Sequence, residues 1–182
     1  MSLAIWRTTA LTAALSLAPY ASFAQEVFGT MTASLDGVER TWFLTSQDGE
    51  SQSFGLSMAV ANLQSFSLWG QPSADSVQTT ADTLLLSFDV MSVGDQTIPL
   101  NMSLMYLENG WQSGWLTDEA ERIDFALTTL EKSDAGVLVE GRFETDANYR
   151  APLASGEIDT SRTMQISGIF TATLPPFILT EQ

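Results

Sequence analysis

The residues best suited to meet a ligand gather around Asn109-Gly110. A two-residue turn there would set Glu108 opposite Trp111, Tyr106 opposite Ser113 and Leu104 opposite Trp115. Directly opposed residues share a face of a sheet. Tyr106, Trp111 and Trp115 are therefore expected on one side of a hairpin, with Glu108 at its tip. Flat rings beside a carboxylate can stack on a sugar and bond its hydroxyls. The same residues also read as core, because Tyr106 continues the parity of Ile98, Leu100, Met102 and Leu104. A tip is more exposed than a base, so Trp111 is the better ligand candidate and Trp115 the better core candidate. The expected ligand-binding residues are Tyr106, Glu108 and Trp111.

Other chemistry is narrowly bounded. The chain has no His and no Cys. That excludes a Ser-His-Asp triad, a Cys nucleophile and any His- or Cys-ligated metal or haem. Ser-Lys catalysis would have to use Lys132, the sole lysine, which sits in an acidic, turn-like segment. No phosphate- or dinucleotide-binding glycine pattern is present. A carboxylate pair could hydrolyse a glycoside. The densest acids for that are Asp118, Glu119, Glu121 and Asp124, although acids clustered at a loop are ordinarily solvated surface. Oxygen-only calcium binding is the other surviving option. Asp36, Asp48, Asp95 and Asp134 all lie near turns, where Asp commonly serves the backbone. The expectation is a protein that is not an enzyme and holds no cofactor or metal.

The elements that must position these residues are strands. Apolar residues alternate along most of the chain. Val27 to Leu35, Val38 to Thr45, Phe54 to Val60, Leu63 to Trp69, Leu84 to Val90 and Ile98 to Tyr106 all show it. Turn signals separate these runs at Asp36-Gly37, Gln47-Asp48-Gly49, Gly94-Asp95, Asn109-Gly110 and Asp134-Ala135-Gly136. Gly70 to Ala81 and Asp146 to Arg162 read as polar connections. Pro99 falls on the outer parity of its run, which requires an edge or a strand start. Residues 118–132 fit either a capped helix or a strand, and the alternation of Ile123, Phe125 and Leu127 favours a strand from about Arg122. The fold class is all-β: an antiparallel sandwich or flattened barrel of about nine or ten short strands. A transmembrane barrel is the rival, opposed by short strands and the lack of paired aromatic girdles.

The start of the chain predicts export. Arg7, an apolar run from Ala10 to Ala18 and Ser22-Phe23-Ala24 form the tripartite pattern of a signal peptide cleaved after Ala24. The apolar run is too short to span a bilayer, which takes about 20 residues. Residues 25–182 then form a single periplasmic or secreted domain. The formal charge of the whole chain is −15, and loss of Arg7 makes the mature chain one unit more negative. Nucleic acid and anionic membrane surfaces would be repelled, and no stable membrane insertion is expected. Without Cys, the apolar core must supply the stability.

Two segments share a pattern: Val139-Glu140-Gly141-Arg142-Phe143 and Ile166-Ser167-Gly168-Ile169-Phe170. In each strand the apolar residue, Gly and Phe face one side, and the Gly leaves room for a neighbouring ring. With Ala33-Ser34-Leu35-Asp36-Gly37 near the start, the chain resembles a loose group of uncharacterised secreted bacterial β domains. These open with an A-x-L-D-G hairpin and close with a G-x-F-x-A-x-L strand. Many are lipoproteins, from which this chain departs by lacking a Cys. The group has no established activity, so the resemblance implies architecture alone. The functional expectation is a non-enzymatic binding or interaction domain whose partner is an unidentified protein or glycan of the cell envelope. The alternatives are a carboxylate-dependent glycoside hydrolase and a β-barrel carrier of a small apolar ligand. Two acids in a deep pocket would favour the hydrolase and a wide apolar cavity the carrier. A filled core with exposed aromatic surface would favour the binding domain.

Overall fold

The computed structural model describes residues 25–58, 62–75, 79–94, 96–117 and 122–181. The expected signal peptide lies outside them, as do Asp95, Asp118, Glu119 and Glu121. Among the described residues eleven strands follow one another: β1 (Gln25–Leu35), β2 (Val38–Gln47), β3 (Phe54–Met58), β4 (Leu63–Gln71), β5 (Thr83–Val93), β6 (Gln96–Trp111), β7 (Gly114–Thr117), β8 (Ile123–Ser133), β9 (Gly136–Arg150), β10 (Ile158–Leu174) and β11 (Leu179–Glu181). One 3-10 turn, Pro176–Ile178, precedes β11. The all-β expectation holds, and strand 8 begins within a residue of where alternation placed it. Several strands are longer than expected. β9 and β10 reach 15 and 17 residues because Asp146 to Arg150 pair with Ile158, Asp159 and Thr163 to Gln165, while Thr160 to Arg162 bulge from the ladder, leaving a short loop where a long polar connection was expected. Backbone pairing holds those polar ends, and alternation of apolar residues cannot report it.

The strands form one sheet that rolls up. Its order β4-β2-β1-β10-β9-β7-β6-β5 returns to β4 through a β4–β5 pairing, giving a partly closed, flattened barrel. β3 and the parallel β11 extend the sheet beyond β4. β7 and β8 lie end to end along the same edge of β9. Of these two, only β7 pairs with β6, at Leu104 to Tyr106. The first half of β6 is thus bonded to β5 alone among the described residues. Pro99 falls in this half, as its missing N–H requires.

Local sequence fixes the tight ends. At Asp36-Gly37 both residues take positive φ, 48 and 86, in a two-residue turn whose backbone twist suits flanking strands. The Asp36 carboxylate accepts a hydrogen bond from the Gln165 N–H at 2.8 Å, tying the turn to β10. Its role is thus structural. Asp48 and Gly49 repeat the geometry, with φ 56 and 79.

The interior is filled. Alternate residues of every ring strand point inward, and Trp42, Leu44, Leu86, Phe143 and Ile166 are among those fully buried. The two related segments interlock here. β9 and β10 pair so that Gly141 opposes Phe170 and Gly168 opposes Phe143. A Cβ on Gly141 would come within 2.6 Å of Phe170 Cζ and of the Ala126 carbonyl oxygen. The absent side chain makes room for a ring, as the sequence pattern implied; at Gly168 the expectation fails, since a Cβ there would first meet the Thr32 carbonyl oxygen and Ala33 of β1. Phe170 then meets Phe88, Phe125 and Phe143 at centroid separations of 5.7, 5.8 and 6.5 Å.

Gly141→Ala should therefore destabilise the protein by about 1–3 kcal/mol in chemical denaturation. Adding Phe170→Leu should recover only part of the loss, since the Ala126 carbonyl belongs to the backbone. A change under about 0.5 kcal/mol for Gly141→Ala, the range of ordinary surface substitutions, would contradict this packing.

Candidate binding site at the β6–β7 end

The β1–β2, β6–β7 and β9–β10 connections lie at one end of the barrel, where Leu35 pairs with Ile166 and Tyr149 pairs with Trp115. The β6–β7 turn differs from expectation. Gln112 N–H donates to the Asn109 carbonyl at 3.4 Å, so Gly110 and Trp111 are the two central residues, not Asn109 and Gly110. Gly110 has φ 62, which suits the first central position. The Asn109 side chain donates to Ser113 Oγ at 3.0 Å and braces the corner. Moving the turn centre by one residue moves the register by two. Tyr106 pairs with Trp115, not Ser113, and Leu104 with Thr117, not Trp115.

Consequently the three rings do not share one open face. Tyr106 and Trp115 belong to the barrel interior, at 6% and 8% exposure. Trp111 stands at the corner, 46% exposed. It meets Trp69 edge-on, with centroids 6.1 Å apart. Trp69 packs on a second, smaller apolar cluster of Leu107, Leu116 and Leu153. That cluster carries the opposite strand parity from Tyr106 and so lies on the barrel's outside. The loop after β9 is pinned to the same corner by the Leu153 N–H donating to the Trp111 carbonyl at 3.1 Å. Glu108 is exposed, but the shifted register no longer sets it opposite Trp111. The structure thus leaves Trp111 and Glu108 accessible and withdraws Tyr106.

Tyr106 serves a different purpose. Its hydroxyl donates to Asp82 Oδ1 at 2.6 Å and accepts from Arg40 Nη1 at 2.8 Å. Arg40 also bonds Asp82 Oδ1 at 2.6 Å. Asp82 sits just before β5 with φ 56, and its carbonyl accepts from the Trp42 indole at 2.8 Å. Burial first, then the hydrogen bond to Asp82 and its charge, push Tyr106 up to about 12; Arg40 opposes the rise. A second basic group covers the neighbouring strands. The Arg162 guanidinium lies 3.4 Å from the Tyr149 ring centroid and 5.3 Å from that of Trp115. Trp115 and Tyr149 meet edge-on at 5.2 Å. Trp115 Nε1 is buried without a hydrogen-bond partner among the described residues. Cation–π contact and packing hold this indole.

Sequence reasoning missed Arg40, Asp82, Trp69 and Arg162. Arg40 shares the parity of Trp42 and was discoverable. Asp82 was not, because a loop residue with left-handed φ carries no periodic signal.

Of the four acids expected at the β7–β8 connection, only Asp124 is among the described residues. Asp124 is bonded to Arg142 at 3.3 Å, and both side chains are more than half exposed. Glu39 and Glu144 border a shallow depression with Arg142, and both are exposed. Among the described residues no group of His, Cys, Asp or Glu could hold a metal ion. No family model, curated protein or solved structure matches the chain.

The Tyr106 network makes stability depend on alkaline pH. The folded protein retains the Tyr106 proton to about pH 12, whereas an unfolded tyrosine releases it near its ordinary value of 10.0. The contribution is complete below pH 10 and is lost as pH rises to 12. Tyr106→Phe should cost about 1 kcal/mol at neutral pH and flatten this part of the stability curve. Identical wild-type and variant slopes above pH 10 would contradict the assignment.

Proposed function

We propose that this chain is a non-enzymatic binding domain of the cell envelope that engages its partner through the β6–β7 corner. The observation that carries this reading is Trp111, a large aromatic side chain left 46% exposed on a braced turn while the interior beneath is filled. Trp69, the Leu153 bond and the Asn109–Ser113 bond hold the corner in place. A rigid ring loses little conformational freedom on binding. The corner suits a glycan, the ring stacking on a sugar face and the exposed Glu108, three residues earlier in the chain, accepting from a hydroxyl. The signal-peptide pattern of Arg7, Ala10 to Ala18 and Ser22-Phe23-Ala24 supports a periplasmic or secreted location.

The alternatives fit less well. A glycosidase needs one acid kept protonated by a desolvating environment, and among the described residues Asp124 and the acids bordering the Arg142 depression are exposed. A carrier needs a wide interior cavity, but the barrel interior holds a continuous cluster of buried side chains. Membrane insertion is disfavoured by the outer face. There Thr32, Ser34, Ser167, Thr171 and Glu140 stand where a transmembrane barrel presents an apolar band. No helix among the described residues is long and apolar enough to cross a membrane.

Two tryptophan variants separate binding from packing. Trp111→Ala should change stability by no more than about 0.5 kcal/mol and abolish retention of the protein on an array of envelope oligosaccharides. Trp115→Ala should cost about 3–5 kcal/mol. Severe destabilisation by both variants, or array binding unchanged in Trp111→Ala, would overturn the proposal.

A further inference from the structure

The opposite end of the barrel carries a separate feature. Between the β3–β4 hairpin, the β8–β9 turn and the segment before β11 lies a cavity of about 180 Å³. Phe66, Val137, Pro176 and Leu179 supply apolar wall, and Lys132 also lines it. A cavity of about 150 Å³ lined by apolar side chains is known to accept benzene, so the space suits one small ring or a short branched chain.

Lys132 reaches this cavity because of a backbone irregularity. Along β8, Ile123 opposes Thr145, Phe125 opposes Phe143 and Leu127 opposes Gly141. The register then shifts between Leu127 and Thr129. After the shift, Leu130 opposes Val139 and Lys132 opposes Val137, both partners being buried core residues. Opposed residues share a face. The bulge therefore turns the even-numbered residues inward, where without it Glu131 would face the core end and Lys132 the outside. Bulges re-aim side chains in this way and recur beside functional sites. The result is notable in this chain: its only lysine, in a protein of net charge −15, is directed to a largely apolar recess. Among the described residues Lys132 has no carboxylate partner in an ion pair.

We propose that this cavity binds a small apolar carboxylate, with the hydrocarbon part against Phe66, Val137 and Leu179 and the carboxylate on the Lys132 ammonium. An amine at the mouth of an apolar recess distinguishes an acid from a neutral molecule of the same shape, because only the acid makes a charge-assisted bond. The site is independent of the Trp111 corner, and either can fail without the other.

The test is titration of the ¹⁵N-labelled protein with benzoate and with benzyl alcohol, its neutral counterpart. Moderate salt should be present to screen the acidic surface over a Debye length of about 8–10 Å. Benzoate should shift the amides of Gly55, Ser133 and Gly136 and bind about five- to tenfold more tightly than the alcohol. Lys132→Met, which keeps the aliphatic stem, should abolish that preference, and Lys132→Arg should retain it. Lys132 is exposed, so both variants should keep the wild-type spectrum elsewhere. Equal binding of acid and alcohol by the wild type would overturn the proposal. So would a preference surviving in Lys132→Met, or no shift at these amides up to the solubility of benzoate.

Discussion

The close approach of the Phe170 ring to Gly141, across β9 and β10, sets the packing on which the rest of the barrel depends. The chain has no cysteine, so stability must come from burying apolar surface and pairing backbone groups. Gly141 lets the Phe170 ring lie against the strand, and from there Phe170 reaches Phe88 on β5 and Phe125 on β8. One ring thus joins both sides of the rolled sheet. A Cβ at Gly141 would push that ring outward and loosen every contact it makes.

A filled interior moves function to the rims. At one end, long polar side chains cover the core. Arg40 and Asp82 hold the Tyr106 hydroxyl, and Arg162 lies over Tyr149 and Trp115. These groups seal the barrel, and the exposed ring of Trp111 projects from the sealed end on a braced turn. At the other end the register shift in β8 brings Lys132 to an apolar recess. Both features arise where the regular ladder is interrupted, by a turn in one case and a bulge in the other.

Much of the fold was legible because it follows from period-2 alternation. Asp36-Gly37 and Asp48-Gly49 turn where positive φ demands it, Pro99 lies on an edge, and Gly141 leaves room for a ring. What stayed hidden depends on single-residue offsets. Asn109-Gly110 is a strong turn signal, but Gly110 suits either central position, and choosing the first moves Trp111 from the strand to the corner. The shift after Leu127 reverses parity without any marker residue. The Asp82 contact depends on a loop conformation that no periodicity encodes. Candidate-site geometry was therefore less readable than the core.

Native-state hydrogen exchange tests the central claim, a tightly interlocked β9–β10 pair at the heart of a filled barrel. Amides of Val139 to Phe143 and Ile166 to Phe170 should exchange only through global unfolding. Those of the marginal strand Phe54 to Met58 should open more readily, through local fluctuations. Faster exchange in Val139 to Phe143 than in Phe54 to Met58 would contradict the account.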